Sequence, residues 1–409
     1  MTYFLFYHLL KITCKLYFRK IRVYHSENIH PHQPLIICAN HGNSFMDAIL
    51  MAIIFKRKIH FLARADAFNT PFKNWFLSKI NMMPIYRIKD GREEVKNNDA
   101  IFDKCQKILA NNGAILIFPE GNCVVEKRLR TFKTGFVHLA FEGKVKDLLV
   151  LPVTINYTNP YAFYSEVSFE FAKPIGIEAL KGEKNYVSFS KLLLEKVKNE
   201  IAKNMIIIPS KEDDLFFEQL LIIIRNNGIS ESEFIKKQIK YSESICQIKE
   251  DNLLIYNDLK IKAELYFKQI EQYHVSDKII KQKSVKGYLF AFYPIYLLGY
   301  LLNYSPSCII KNKIEKSIKE SQFLGAVRMV AGMFIYLIYV PIIIVFLAFI
   351  IGSYFWAMAF ILLIIFFYYF TFESYEQLKE SYQLDSNDEI YEGLRKKRSE
   401  IVAAINLLL

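Results

Sequence analysis

The stretch Leu35-Ile36-Ile37-Cys38-Ala39-Asn40-His41-Gly42-Asn43-Ser44-Phe45-Met46-Asp47, running on through Ala48 to Ile53, decides how this chain folds. Leu35 to Cys38 are apolar and largely β-favouring, whereas Met46 to Ile53 read as a helix, so His41 is expected where a buried strand hands over to a helix. Ser44 or Asn43 can cap that helix, whose free N–H groups and dipole favour developing negative charge. In such a turn His41 can act as a general base for an oxygen nucleophile, with Asp47 holding the ring, and the turn's backbone N–H groups are candidate oxyanion donors.

Outward from this turn, residues 21–176 alternate short β-like runs with helical patterns, which predicts an α/β core with a sheet flanked by helices. The expected strands are Ile21–Tyr24, Leu35–Cys38, Ile59–Ala63, Met83–Tyr86, Ala114–Phe118, Leu148–Asn156 and Val167–Phe171, with helices from about Asp47, Lys73, Asn98 and Gly135. Residues 177–283 are lysine-rich, poor in glycine and helical in pattern, and read as a helical extension without a chemical motif.

The ends of the chain point to lipid. Residues 1–20 are apolar and aromatic, then basic at Lys15, Arg19 and Lys20, and lack a run of about 20 apolar residues, so an interfacial helix is expected. Residues 284–328 include the 17-residue apolar run Tyr288–Tyr304, with Pro294 and Gly299 inside it, which suits an interfacial or re-entrant element. Met329 to Phe372 are 44 residues without Asp, Glu, Lys or Arg. At about 1.5 Å per residue they exceed one crossing of a roughly 30 Å hydrocarbon core, so two transmembrane helices joined near Gly352-Ser353 are expected. Lysines from Lys311 to Lys319 precede them and Arg395 to Arg398 follow, which predicts both flanks, and a tail over 373–409, on the cytoplasmic side.

A formal charge of +12 is dispersed along the 409 residues, and no zinc finger, basic zipper or RNA-binding signature is present, so nucleic acid is not an expected partner. Beside apolar spans, that charge suits an anionic membrane surface and phosphate-bearing substrates. Six scattered cysteines without a Cys-x-x-Cys predict reduced thiols and neither a disulfide framework nor a metal site.

Three further stretches carry candidate chemistry. Phe118-Pro119-Glu120-Gly121-Asn122 follows the apolar run Ala114–Ile117, which places a carboxylate and a glycine turn at a strand's carboxyl end, where open α/β sheets hold ligands. Asn81-Met82-Met83-Pro84-Ile85-Tyr86-Arg87, ahead of Ile88-Lys89-Asp90-Gly91, ends a short strand on a guanidinium able to grip phosphate bidentately. Leu129-Arg130-Thr131-Phe132-Lys133-Thr134-Gly135 puts two cations before a helix start, a position favourable to anions.

Taken in order, Asn40-His41 to Asp47, Asn81 to Arg87, Phe118 to Gly121, Lys133-Thr134-Gly135 and Leu151-Pro152-Val153 resemble the conserved blocks of the glycerolipid acyltransferases. The resemblance covers roughly Ile21 to Ile175. Five residues rather than four separate His41 from Asp47, Asn81 stands where a glycine is usual, and Asn122-Cys123 departs from the usual residues after the glycine. The resemblance implies an acyltransferase-type mixed sheet and a membrane-bound O-acyltransferase working without metal or cofactor. Its donor would be acyl-CoA or acyl carrier protein and its acceptor lysophosphatidic acid. Glycerol 3-phosphate, another lysolipid, or a non-catalytic lipid-binding role are the alternatives. Carried over, His41 and Asp47 are catalytic. Arg87, Lys133 and Arg130 would meet phosphate or the acyl carrier, Glu120 would bind the acceptor hydroxyl or support the site, and Gly121 would let the backbone approach the substrate.

Overall fold

Strand β2 (Leu35–Ala39) is buried along its whole length because it is bonded in parallel on both sides and covered on both faces, which is why it reads as a continuous apolar run rather than an alternating one. Around it the computed structural model has β1 (Lys20–Tyr24), β3 (Ile59–Arg64), β4 (Met82–Ile85), β5 (Ala114–Ile117), β6 (Leu149–Tyr157), β7 (Glu166–Phe171) and β8 (Ile175–Gly176). Residues 2–87, 92–143, 145–281, 289–385 and 388–407 are described; Ile88 to Gly91 and the expected boundary at 283/284 lie outside them. The sheet order is β1-β7-β6-β2-β5-β3-β4, with β8 on β6. Because β7 and β8 run antiparallel to β6 while β2, β3, β4 and β5 pair in parallel, the sheet is mixed. All seven expected strands are present; the two residues of β8 are too few to carry a pattern.

The chain divides into two compact units, Met1–Met205 with Ile318–Met329, and Ile206–Ser317 with Val330–Leu409. The first holds the sheet and helices α1 (Thr2–Tyr17), α2 (Ser44–Ile54), α3 (Pro71–Lys79), α4 (Arg92–Val95), α5 (Asn98–Ala110), α6 (Gly135–Glu142), α7 (Ile177–Lys181) and α8 (Tyr186–Lys203). Helix α8 moves the expected core boundary from 176 to 205. Its stripe of Phe189, Leu193, Val197 and Ile201 is buried with Ile36, Ile115 and Val150 of the sheet, each side chain contributing about 1.5–3 kcal/mol relative to exposure. Thr154 Oγ1 donates to the Ile201 carbonyl at 3.0 Å and fixes the helix end on β6. Helix α1 is more than an interfacial element, since Cys14 and Tyr17 near its end, and Phe18 just after it, are buried in this unit.

The second unit is helical: α9 (Asp214–Asn226), α10 (Phe234–Asp251), α11 (Leu253–Gln272), α12 (Asp277–Lys281), α13 (Leu289–Ile309), the greater part of α14 (Leu324–Ile351), α15 (Tyr354–Asp385) and α16 (Asp388–Leu407). Of the stretch 373–409, expected as a tail, the described residues 373–385 and 388–407 are instead built into it. The Arg398 guanidinium on α16 clasps the buried Asp277 carboxylate at 2.8 and 3.1 Å, and Tyr266 and Asn226 donate to the same carboxylate at 2.8 Å. Residues 289–309 form one 21-residue helix rather than a re-entrant turn; Tyr296 stacks on Tyr368 and Tyr375 of α15, and Gly299 leaves the space that Tyr368 fills. The expected break falls at Gly352, whose φ of 76° ends α14 in a left-handed turn before α15 begins. Among the described residues one helix, Ser321–Ile351, is long and apolar enough to cross a membrane; Tyr354–Tyr369 and Phe372–Ser381 qualify only as a pair bent by 50°.

Candidate active site

The candidate site forms at one edge of the sheet, where the parallel strands β2, β5, β3 and β4 all end. Register sets Cys38 of β2 beside Ile117 of β5, so the loop carrying His41 lies next to the loop that begins at Phe118. His41 stacks flat on the Phe118 ring, 3.9 Å between centroids and 11° between planes.

Asp47, fully buried, is the hub of the turn. Its Oδ2 accepts from His41 Nδ1 at 2.9 Å, from the Gly42 N–H at 3.1 Å and from the Asn43 N–H at 2.9 Å, while Oδ1 accepts from Tyr157 O–H at 2.6 Å. The five-residue spacing closes because Ser44 takes a left-handed φ of 45°, folding the extra residue into the turn at a cost of about 1–2 kcal/mol. A carboxylate on Nδ1 selects the tautomer with its proton there, which leaves the Nε2 lone pair of a side chain 17% exposed to accept a proton. Burial, then the charge of Asp47, pushes the Tyr157 hydroxyl well above its ordinary pKa, so it stays a donor.

Two sequence expectations change here. Asn43 stands at the N-cap of α2 without a side-chain cap bond, and Ser44 is already the first helical residue; the Asn43 amide N–H donates instead to the Pro160 carbonyl at 3.1 Å. The turn's N–H groups are also spent on the protein: Gly42 and Asn43 on Asp47, and Ser44 on Cys123 Sγ at 2.9 Å. They organise the His41 turn and are not open oxyanion donors.

Glu120 is buried, and its Oε2 meets the Arg130 guanidinium. Arg130 also donates to the His41 carbonyl at 3.0 Å and to Asn122 Oδ1 at 2.8 Å, so it ties the two loops together. Burial pushes its pKa down. Gly121 has a φ of 72°, and a Cβ there would come within 3.3 Å of Lys133 Cγ; the exposed Lys133 lies across it, and its N–H donates to the Pro119 carbonyl at 2.6 Å. Arg87 is on the same edge but two strands from β5, about 10 Å away by strand spacing. It is 21% exposed and reaches Asp66 Oδ2 at 3.4 Å, where Arg64 also binds.

Sequence reasoning missed Tyr157, Phe118 and Asn40. Phe118 and Asn40 lie inside the sequence motifs but carried no assigned role, whereas Tyr157 ends β6 with no motif around it and is paired to Asp47 only through the sheet. Asn40 exchanges two hydrogen bonds with Ile155, 3.0 and 2.7 Å, continuing the β2–β6 ladder with a side chain right up to His41.

Residues 20–156, from β1 almost to the end of β6 and including His41, Asp47, Arg87, Glu120 and Arg130 but stopping one residue short of Tyr157, match the family described as Acyltransferase. Over these residues the chain is similar to the acyltransferases. The chain is 28% identical over 139 residues to a 1-acyl-sn-glycerol-3-phosphate acyltransferase of Chlamydomonas reinhardtii, covering 34% of this chain and 39% of that one. It is 29% identical over 152 residues to the protein of that name from Borreliella burgdorferi, covering 37% and 57%. The chain therefore spans well under two thirds of either relative. Among solved structures, the 1-acyl-sn-glycerophosphate acyltransferase from Thermotoga maritima is 21% identical, with a TM-score of 0.34 over 47% of this chain and 78% of that one.

Proposed function

We propose that this protein transfers a fatty acyl group from an acyl thioester to the free hydroxyl of lysophosphatidic acid. The observation that carries the reading is the buried Asp47 carboxylate on His41 Nδ1 at 2.9 Å, inside an acyltransferase-family domain. His41 Nε2 takes the proton as the acceptor oxygen attacks the thioester carbonyl, and Asp47 stabilises the imidazolium. Collapse of the tetrahedral intermediate expels the carrier thiolate, which takes the proton back from His41. No acyl-enzyme is needed: burial, with Asp47 beside it, pushes the Cys123 thiol up to about 12. Arg130 and Glu120 hold the His41 loop, and Arg87 is the cation we assign to the acceptor phosphate, with Lys133 beside the glycine turn as a second. Coenzyme A or acyl carrier protein is the donor's carrier. Residues Met329 to Phe372 anchor the chain in the bilayer as a helical hairpin with both ends cytoplasmic, supported by the exposed apolar surface of α14, where Phe349 is 90% exposed.

The test is acyl transfer by purified protein with each labelled donor against lysophosphatidic acid, glycerol 3-phosphate and neutral lysolipids. Transfer to lysophosphatidic acid that disappears with His41→Ala is expected. Transfer to glycerol 3-phosphate alone overturns the acceptor, and no transfer to any acceptor overturns the reaction.

A further inference from the structure

Helix α3 carries Phe72, Trp75, Phe76 and Leu77 in nine residues, yet none of its residues is buried. Phe72 is 71% and Trp75 57% exposed. At spacings of three and four they share one helical face, with ring centroids 6.1 Å apart for Phe72 and Trp75 and 6.3 Å for Phe72 and Phe76. The aromatic surface continues onto α1, where Phe6 meets Phe76 edge-on at 5.8 Å, and α1 itself exposes Ile12 and Leu16. Neither helix contains an Asp or Glu, while Lys11, Lys15, Lys73 and Lys79 supply cations. Contiguous exposed apolar surface of this kind marks an interaction site. Aromatic rings with lysines and no acidic residue fit the boundary between anionic headgroups and acyl chains. The position fits too: the turn that starts α3 follows the end of β3, on the edge where His41 and Glu120 lie.

We propose that Phe72, Trp75 and Phe76, with Phe6 beside them, form a ridge that dips into the headgroup region of an anionic bilayer and holds the His41 edge of the sheet against it. The inference rests on the reading of a lipid acceptor, which would then reach His41 without leaving the membrane surface. Such elements enter about 5–10 Å into the interface, so the ridge is a contact separate from any spanning helix.

The chain has two tryptophans, Trp75 and Trp356, so Trp356→Phe leaves Trp75 as the sole reporter. The full chain carrying that change is reconstituted into phosphatidylcholine–phosphatidylglycerol vesicles and its fluorescence quenched by shallow or deep nitroxide lipids, or by aqueous iodide. The ridge requires shallow nitroxide to quench Trp75 roughly twofold more than deep nitroxide, with iodide weak. Quenching by iodide as for free tryptophan amide, with no lipid effect, overturns it; so does stronger quenching by the deep label. In the unaltered chain, a photoactivatable phospholipid must also label residues 71–79, and the absence of adducts there while α14 is labelled counts against the ridge. Water-exposed Trp75 with transfer intact sinks only the ridge, and lipid-quenched Trp75 without transfer sinks only the proposed reaction.

Discussion

The His41 turn and the Arg87 turn end neighbouring parts of the same sheet, yet they are built differently. At His41 a single buried carboxylate collects four donors, and Arg130 bolts the loop to Glu120. At Arg87 the side chain is held by a half-exposed Asp66 at 3.4 Å, although Asn98 fixes the backbone before it with two bonds to Tyr86 of 2.9 and 2.8 Å. On the proposed roles, a base is oriented before the substrate arrives, whereas a phosphate clamp turns from its protein partners to the ligand. The contrast sets a buried hub against a partly exposed ion pair, and mutations can break it.

The largest effect is expected at the hub. His41→Ala should lower kcat about 100- to 10,000-fold with the acceptor KM little changed, because it removes the proton acceptor and leaves the sheet intact. Asp47→Asn should be nearly as severe, since an amide cannot accept from His41, Gly42, Asn43 and Tyr157 together. Steady-state kinetics beside circular dichroism separate chemistry from folding; full activity in either variant would remove the hub from the mechanism.

Next is the bolt. Arg130→Ala leaves the buried Glu120 carboxylate without its partner, a change that typically costs about 3–5 kcal/mol of stability. Thermal unfolding should fall accordingly and kcat drop with it. Arg130→Lys should recover only part of both, because an ammonium cannot span Glu120, Asn122 and the His41 carbonyl in one plane. A variant as stable as the parent would mean that the two loops are held by something else.

How much of this was open to reading from sequence follows the same contrast. Strand β2 and the Phe-Pro-Glu-Gly turn are local patterns, and their strands and loops could be read without the fold. That His41 and Asp47 meet needed Ser44 in a left-handed conformation, which a serine does not advertise. Tyr157 and the Arg130–Glu120 pair come together through strand order and a long loop, so no spacing rule reaches them. The same holds in the helical unit, where Arg398 finds Asp277 across 121 positions and turns an expected tail into packed structure.

Arg87 should separate binding from stability. Arg87→Ala is expected to lower kcat/KM for lysophosphatidic acid tens-fold, as for loss of about 2 kcal/mol from a charge-assisted bond, while leaving the donor KM almost unaltered. Unfolding should move much less than in Arg130→Ala, since the Asp66 pair at 3.4 Å is partly exposed whereas Glu120 is buried. If the change destabilises the protein as much as Arg130→Ala does, Arg87 belongs with the rigid loop and the distinction between the two turns fails.

The smallest effect is expected at Cys123, and it tests whether the hub is a base or the partner of a thiol. Cys123 Sγ accepts the Ser44 N–H at 2.9 Å, close enough to the turn that a Cys-His mechanism deserves to be excluded. Its pKa, raised to about 12 mainly by burial and then by Asp47, leaves a thiolate fraction of about one in ten thousand at pH 8. The folded state favours the neutral thiol, so the stability this group contributes is present below the ordinary value of 9.0 and is lost as pH rises toward 12. Iodoacetamide at pH 8 should therefore modify Cys123 in the native protein far more slowly than in the unfolded chain. Cys123→Ser keeps an acceptor for Ser44 and should retain transfer within about threefold, a loss of well under 1 kcal/mol. Fast alkylation of native Cys123, or a collapse of kcat in Cys123→Ser to the level of His41→Ala, would shift the chemistry from a base acting on a hydroxyl to an acylated sulfur.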